Sequence, residues 1–216
     1  MYTFREVADY IRARGLRPLL ATAVRRFLFC HERRLLLCLS LDELTPLPDR
    51  TGDLLRNVEV REARTDDLQP LHRAMRQADW WERKRELRRW AETDCYHLVV
   101  AEADGRLIGS ACVGRRIPRS HGIARRAVAL EPGDAYGVHV FVAPRWRGRG
   151  VYPLMLSDLV RRLKEDGRER ILTLVDPHNR AAVRSHLKMG MTEAEEVVFR
   201  RLLVVARASC RPLPRE

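Results

Sequence analysis

The central and C-terminal parts of the chain alternate between two hydrophobic patterns. Short runs that alternate apolar and polar residues predict strands over residues 57–63, 96–103, 106–113, 136–142, 171–175 and 197–206. Apolar residues at helical spacing predict a helix after the capping residues 65–67 and further helices over 79–92, 151–166 and 179–189. The dipeptide Asp104-Gly105 predicts a tight hairpin turn. This order of elements predicts an α/β fold (α+β with a mixed sheet) that has helices on both faces of the sheet.

The first 56 residues follow a different pattern and are rich in arginine. Residues 1–30 predict helical structure that breaks near residues 15–18, residues 33–41 predict a strand, and residues 45–53 predict a turn-rich connector. We therefore divide the chain into an N-terminal basic helical and strand extension (1–56), a main domain (57–207) and a C-terminal tail (208–216). A basic helix with one apolar face usually packs on its own domain, and peripheral membrane contact through residues 1–30 is the alternative.

Composition places the chain among globular proteins. Its 216 residues are 45% hydrophobic and 32% charged, which is typical of a folded domain and unlike a disordered or collagenous chain. The longest apolar run, residues 35–41, is far shorter than the roughly 20 residues of a membrane span. The N-terminus also lacks the pattern of a secretory signal, so we expect a cytoplasmic protein.

Charge and cysteine content narrow the choice of ligands. The net charge of +12 favours an anionic ligand, but the basic residues are almost all arginine and are scattered along the chain. Nucleic-acid binding is therefore disfavoured. The five cysteines form no C-x-x-C pair, which favours reduced thiols over a disulfide framework or a zinc site. We expect no bound metal.

The most informative motif covers residues 142–152, with the sequence V-A-P-R-W-R-G-R-G-V-Y. A predicted strand runs into a turn that opens a helix, and such a junction directs unpaired backbone N–H groups and the positive end of the helix dipole at one point. This arrangement suits a phosphate or pyrophosphate, and Gly148 and Gly150 would allow a close approach. The spacing matches neither the Walker nor the dinucleotide-binding pattern. A turn that only joins strand to helix is the alternative.

A second motif, N-R-A-A-V-R-S-H-L-K-M-G-M, covers residues 179–191. Asn179, Ala182 and His186 are spaced at i, i+3 and i+7, so they share one face of the predicted helix, whereas Val183 and Leu187 are expected to face the core.

These two motifs, in this order of elements, resemble the GNAT family of acetyl-CoA-dependent N-acetyltransferases over residues 57–207. The resemblance implies a GNAT-like fold with a central, mostly antiparallel sheet flanked by helices, with the N-terminal extension added. It implies acetyl-CoA as co-substrate, no metal, and a [QR]-x-x-G-x-[GA] turn that holds the CoA pyrophosphate. This pattern can be aligned with the turn in two ways, and we prefer the alignment from Arg147 to Tyr152 over the one from Arg145 to Gly150. The preferred alignment places Tyr152 where the family has a small residue.

The resemblance also implies which residues contact CoA. The predicted strand over residues 136–142 would bulge and separate from the next strand, its backbone would pair with the pantetheine arm, and one of its N–H groups would polarise the thioester oxygen. Asn179 would contact the pantetheine arm. The implied cofactor-binding residues are Val140, Phe141, Val142, Arg147, Gly148, Arg149, Gly150, Val151, Tyr152 and Asn179.

Two residues are candidates for proton transfer. His186 is at a position where many members have a tyrosine that protonates the departing CoA thiolate. An imidazole with a pKa of about 6.5 would stabilise that sulfur in protonated or hydrogen-bonding form, or would only pack beside the ligand. Tyr136 is where some relatives carry a Glu or His base, but a phenol with a pKa of about 10 is a poor base without help. Asp134 or Glu131 would then relay the proton through water. Strand alternation places His139 on the opposite side from Tyr136.

The predicted function is N-acetylation of a primary amine, of a small-molecule or protein acceptor, by direct attack on acetyl-CoA. The alternative is a catalytically weak GNAT-like CoA-binding or regulatory module. A small-molecule amine is the favoured partner, and the chain is expected to be a monomer or a homodimer. The arginine-rich segment 114–134 favours an anionic acceptor, unless its arginines only form a solvated rim.

Overall fold

The computed structural model describes residues 29–44, 55–78, 84–202 and 205–212. Residues 1–28 of the predicted helical segment, its predicted membrane contact and the predicted connector (45–53) therefore lie outside the described residues, whereas residues 29–30 begin the first strand. Within the described residues the strands are β1 (Phe29–Ser40), β2 (Val58–Glu62), β3 (Tyr96–Ala103), β4 (Arg106–Gly114), β5 (Asp134–Val142), β6 (Arg170–Val175), β7 (Thr192–Leu202) and β8 (Val205–Pro212). The helices of the same ranges are α1 (Leu68–Gln77), α2 (Lys84–Glu92), α3 (Ala124–Ala127), α4 (Val151–Glu165) and α5 (Arg180–Lys188).

The described strands form one sheet in the order β2-β3-β4-β5-β6-β1-β7-β8. Neighbouring strands are antiparallel except β5 and β6, which are parallel. The sheet is therefore mixed and mostly antiparallel, which confirms the predicted fold class. At the C-terminal end, the long strand predicted over 197–206, for which an interruption was the alternative, is two strands, β7 and β8, which pair with Leu202 opposite Val205.

Strand β1 lies in the interior of the sheet, between β6 and β7. Leu37 faces Thr173 of β6 and Glu193 of β7 in the two ladders. The side chains of Leu37 and Leu39 are completely buried. A strand from the segment assigned to an extension is thus part of the main sheet, although the boundary near residue 56 stays a prediction.

Apolar side chains form a layer on each face of the sheet. On one face, α4 contributes Met155, Leu159 and Leu163 to a cluster that also contains Leu37 and Leu39. On the other face, α1 and α2 pack on a second cluster, whose helical members include Leu71, Met75, Leu87 and Trp90. The sequence places apolar residues of α1 and α4 at intervals of three and four, and such a stripe buries one side of each helix.

Strand β5 carries a bulge near its centre. Cys112 of β4 faces His139, whereas the adjacent Val113 faces Gly137, so Val138 is an extra residue in β5. A bulge bends a strand and changes the face on which later side chains lie. This explains one wrong prediction: His139 stacks near Trp90, with ring centroids 5.6 Å apart, on the same face as Tyr136.

Strands β5 and β6 pair only at their beginnings. Their ladder covers Asp134 to Tyr136 of β5, and the rest of β5 has no ladder partner in β6. At the point of separation, the Thr173 hydroxyl donates to the carbonyl oxygen of Gly137 at 3.1 Å. A Cβ on Gly137 would lie only 3.0 Å from the Thr173 side chain, so glycine permits this contact. A side chain thus takes the place of a ladder bond where the two strands separate.

Candidate active site

The turn between β5 and α4 has the geometry of an anion site. Gly148 and Gly150 have φ angles of 72° and 89°, in the left-handed region that favours glycine. A Cβ on Gly148 would meet nothing within 4 Å, so space is open beside the turn. The first N–H groups of α4 have no acceptor within the helix, and the Gly150 carbonyl accepts from Leu154 at 3.1 Å. These N–H groups and the helix dipole together favour negative charge at this corner.

Two arginines extend the positive potential of the turn. Arg147 donates from Nε to the carbonyl oxygen of Val142 at 3.1 Å, which fastens the turn to the end of β5. The Arg149 guanidinium lies over the Trp146 ring, 5.8 Å from its centroid. Both arginines are exposed, so they increase the positive potential on the solvent side of the turn.

Asn179 caps helix α5, which follows β6. Its Oδ1 accepts from the backbone N–H of Ala182 at 3.2 Å, which satisfies one of the otherwise unpaired N–H groups of the helix. The residue is exposed. Because the cap uses the carbonyl oxygen, the NH₂ group can donate to a ligand amide.

Helix α5 lies near the surface. Val183 packs against the α4-side cluster as predicted, but Leu187 is 39% exposed, so the prediction that it faces the core is wrong. The chain turns soon after this residue, and Met189 and Met191 supply the buried contacts instead.

The two motifs meet through a hydrogen bond between Tyr152 and His186. The Tyr152 hydroxyl lies 2.7 Å from His186 Nδ1, and the two rings pack edge to face with centroids 5.2 Å apart. Burial raises the pKa of Tyr152 well above its usual range. Burial also lowers the pKa of His186 to about 4. At neutral pH both side chains are therefore uncharged, and this favours the hydrogen-bonding role of His186 over the role as imidazolium acid.

The second candidate for proton transfer, Tyr136, contacts a histidine that the sequence analysis missed. Its hydroxyl lies 3.3 Å from Nδ1 of His121, and the rings are edge to face. Burial raises the pKa of Tyr136 above its usual range, so the phenol keeps its proton near neutral pH and is not a base by itself. His121 is half-buried in the segment before β5. No periodic pattern connects it with Tyr136 in sequence.

Asp134, the other nearby candidate for proton relay, is already bound. Its Oδ1 accepts from Arg170 Nε at 2.8 Å, and its Oδ2 accepts from the backbone N–H of Glu131 at 3.0 Å. These bonds stabilise the beginning of β5 where it pairs with β6.

A family model described as the acetyltransferase (GNAT) family matches residues 58–191. The match spans more than half of the chain and includes both motifs. The chain belongs to this family. Its membership confirms the predicted enzyme class, an acyltransferase of the GNAT type.

Solved structures show the same fold as this GNAT protein. Aminoglycoside N-acetyltransferase AAC(6')-Iy in complex with CoA is 20% identical, with a TM-score of 0.51 over 62% of this chain and 92% of that chain. The aminoglycoside 6'-N-acetyltransferase AAC(6')-Ih from Acinetobacter baumannii is 16% identical, with a TM-score of 0.52 over 63% of this chain and 91% of that chain.

An enzyme that acetylates a protein has a similar sequence identity and TM-score to this GNAT protein. The ribosomal-protein-S18-alanine N-acetyltransferase from Escherichia coli is 16% identical, with a TM-score of 0.50 over 63% of this chain and 79% of that chain. No curated protein matches the sequence of this GNAT protein.

Two further observations concern the described part of this GNAT protein. Its residues contain no group of three or more His, Cys, Asp or Glu side chains arranged to hold a metal ion. The same part of the chain contains no helix that is long and apolar enough to cross a membrane.

Proposed function

We propose that this protein transfers the acetyl group of acetyl-CoA to a primary amine of a small-molecule acceptor by direct attack. The observation that carries the proposal is the early separation of β5 and β6, next to a glycine turn that opens helix α4. An unpaired strand edge can accept an extended ligand as an added strand, and the adjacent helix N-terminus favours a phosphate. Pantetheine joined to a pyrophosphate has both features.

The residues around this opening fit CoA. In the proposal, the N–H groups of residues 148–152 bind the pyrophosphate, and Arg147 and Arg149 add positive charge. The backbone of Val140, Phe141 and Val142 pairs with the pantetheine arm, and Asn179 donates to one of its amides. The open space beside Gly148 supports this assignment, since a phosphate must approach the backbone closely.

The reaction in this proposal needs no covalent enzyme intermediate. The amine nitrogen attacks the acetyl carbonyl carbon, and the C=O electron pair moves to oxygen, where a β5 backbone N–H stabilises it. The oxygen then re-forms the C=O bond as the C–S bond breaks and its electron pair moves to sulfur; the nitrogen loses a proton and the sulfur gains one. The products are the N-acetylated acceptor and CoA thiol, so atoms and charge balance.

The proton of the amine needs an acceptor on the side of β5 that carries Tyr136. We assign it to His121, because a neutral imidazole has a nitrogen lone pair that can accept a proton and the Tyr136 hydroxyl lies 3.3 Å from its Nδ1. Nδ1–H of His121 donates to the Tyr136 oxygen, Tyr136 keeps its own proton, and the proton of the amine goes to Nε2 of His121. In this assignment Tyr136 acts through His121 and is not itself the base.

Exposed arginines near the proposed acceptor side support an anionic amine as acceptor. Arg115, Arg116, Arg119, Arg125 and Arg126 are all exposed in the segment before β5. Guanidinium groups bind carboxylates and phosphates in bidentate geometry. An amine that also carries a phosphate or carboxylate would use both the reaction centre and this surface.

A substrate panel with acetyl-CoA tests the proposed function. Free-thiol release is measured with amino sugars, amino-sugar phosphates, amino acids, polyamines, aminoglycosides and peptide N-termini. The proposal expects amine-dependent thiol release that exceeds hydrolysis without acceptor, and mass spectrometry should find the acetylated amine. Acetyl-CoA binding without thiol release from any acceptor would favour the CoA-binding module instead.

A further inference from the structure

The two motifs each differ from the family pattern at one position, and the structure brings these two positions together. Tyr152 takes the place of a small residue in the turn, and His186 takes the place of the tyrosine found in many members. Their side chains form one hydrogen bond, 2.7 Å long, between the first turn of α4 and the body of α5. The two positions at which this chain departs from the family pattern are therefore in direct contact.

The geometry indicates which partner donates. A distance of 2.7 Å is typical of a hydroxyl donor, whereas N–H donors are usually about 2.9–3.0 Å from their acceptor. A phenol is also a stronger acid than a neutral imidazole N–H. Both considerations favour the Tyr152 hydroxyl as the donor and Nδ1 of His186 as the acceptor.

The tautomer of His186 follows from this direction. A neutral imidazole carries one proton, on Nδ1 or on Nε2. With Nδ1 as the acceptor, the ring proton is on Nε2. The burial that lowers the pKa of His186 to about 4 keeps the ring neutral, and the edge-to-face packing on Tyr152 restricts rotation of the ring.

We propose that Tyr152 is a positioning residue, which fixes His186 as the Nε2–H tautomer so that this N–H donates to the departing sulfur of CoA. This inference rests on the proposed function for the identity of the acceptor atom, but not for the tautomer. When the C–S bond breaks, the electron pair stays on sulfur and the Nε2–H stabilises it as a hydrogen-bond donor. His186 keeps its proton. The thiolate takes a proton from solvent, to which His121 passes the proton that the amine releases.

Nitrogen NMR of the full-length protein tests the tautomer without any ligand. The protein is labelled with ¹⁵N-histidine, and the His186 signals are assigned from their loss in a His186→Gln variant. We expect a single Nε2–H tautomer in the wild type and a mixture of the two neutral tautomers in Tyr152→Phe, since phenylalanine fills the same space without the hydroxyl. Tyr96→Phe removes a phenol elsewhere in the sheet and should leave the His186 signals unchanged.

Two NMR results would overturn the proposal. One is a wild-type His186 protonated on Nδ1. The other is a Tyr152→Phe protein with the same single tautomer as the wild type. Thermal unfolding followed by circular dichroism checks that each variant is folded, and the tautomer is compared only among folded proteins.

Steady-state kinetics with the best acceptor distinguish a Tyr152 that positions His186 from a Tyr152 that only fills space. We expect Tyr152→Phe to lower kcat about tenfold while the KM for acetyl-CoA changes less than about twofold, because the donor acts on the leaving group and not on ground-state binding. In Tyr152→Ala, which restores a small residue, kcat should also fall. A Tyr152→Ala protein that binds acetyl-CoA more tightly and turns over faster than the wild type would identify Tyr152 as an obstruction and overturn the proposal.

The two proposals fail in different ways. If no amine releases thiol and acetyl-CoA does not bind, the proposed function fails, whereas the NMR experiment still decides whether Tyr152 fixes the tautomer. If acetylation occurs and the tautomer does not depend on Tyr152, only the positioning role fails.

Discussion

At the scale of single residues, the site is defined by groups whose burial changes their proton affinity. His186 and Tyr152 are both uncharged at neutral pH because desolvation disfavours the charged forms. Tyr136 keeps its proton for the same reason. The positive potential of the site therefore comes from backbone N–H groups and from the exposed Arg147 and Arg149, and not from an imidazolium.

The pKa of His186 gives a prediction for stability. The pKa is about 4 in the folded protein and about 6.5 in an unfolded chain. Between these values the unfolded state binds a proton that the folded state does not, so stability falls as pH decreases from about 6.5 to 4. We expect urea unfolding of the wild type to lose more stability over this interval than unfolding of His186→Gln, and NMR titration of His186 to have its midpoint near 4.

An NMR titration midpoint of His186 near 6.5, together with equal pH dependence of stability in wild type and His186→Gln, would contradict the burial of His186 against Tyr152. It would also support protonated His186 as the acid that protonates the CoA thiolate.

At the scale of elements, the periodic segments were predictable and the long-range contacts were not. Helix α4 and strands β3 and β4 follow the predicted ranges closely, because each has a clear apolar period. The bulge at Val138 has no signal in the alternation of apolar and polar residues. The prediction of the side of β5 on which His139 lies was therefore wrong. The contact between Tyr152 and His186 joins two helices, and neither helix alone contains a signal for it.

The separation of β5 and β6 gives a prediction at this scale. Thr173→Val keeps the shape of the side chain but removes the hydroxyl that donates to the Gly137 carbonyl. Thr173 is buried, and a hydrogen bond within a protein typically contributes about 0.5–1.5 kcal/mol to stability. We expect a loss of about that size in urea unfolding, together with weaker acetyl-CoA binding.

Thr192→Val is the matched control for this substitution. The Thr192 hydroxyl donates to the Cys38 carbonyl at 3.4 Å on an exposed part of β7, where water can replace it. Its loss should cost no more than about 0.5 kcal/mol. Equal costs for the two variants would mean that the Thr173 contact does not stabilise the separated strands.

At the scale of the whole molecule, β1 makes the sheet continuous from β2 to β8. The strand itself was predicted over residues 33–41, but its place between β6 and β7 was not. Strand order depends on pairing between residues far apart in sequence, and periodicity carries no information about it. The family match begins at residue 58, so it gives no account of β1 either.

The interior position of β1 predicts a large cost for a small substitution. Leu37 is fully buried between two neighbouring strands, and Leu→Ala at such sites costs about 2–5 kcal/mol. Leu187→Ala is the control, because Leu187 is 39% exposed and should cost about 0.5 kcal/mol or less. Urea unfolding measures both, and similar costs would contradict the interior position of β1.

The central claim is that the turn before α4 binds the pyrophosphate of acetyl-CoA, and calorimetry of two glycine variants tests it most directly. Gly148 and Gly167 have φ angles of 72° and 68°, and a Cβ at either would meet nothing within 4 Å. Alanine therefore strains the backbone similarly at both positions, which are near opposite ends of α4. We predict that wild type and Gly167→Ala bind acetyl-CoA equally, whereas Gly148→Ala binds at least about tenfold more weakly. Equal binding by all three proteins, or no binding by the wild type at millimolar ligand, would contradict the account.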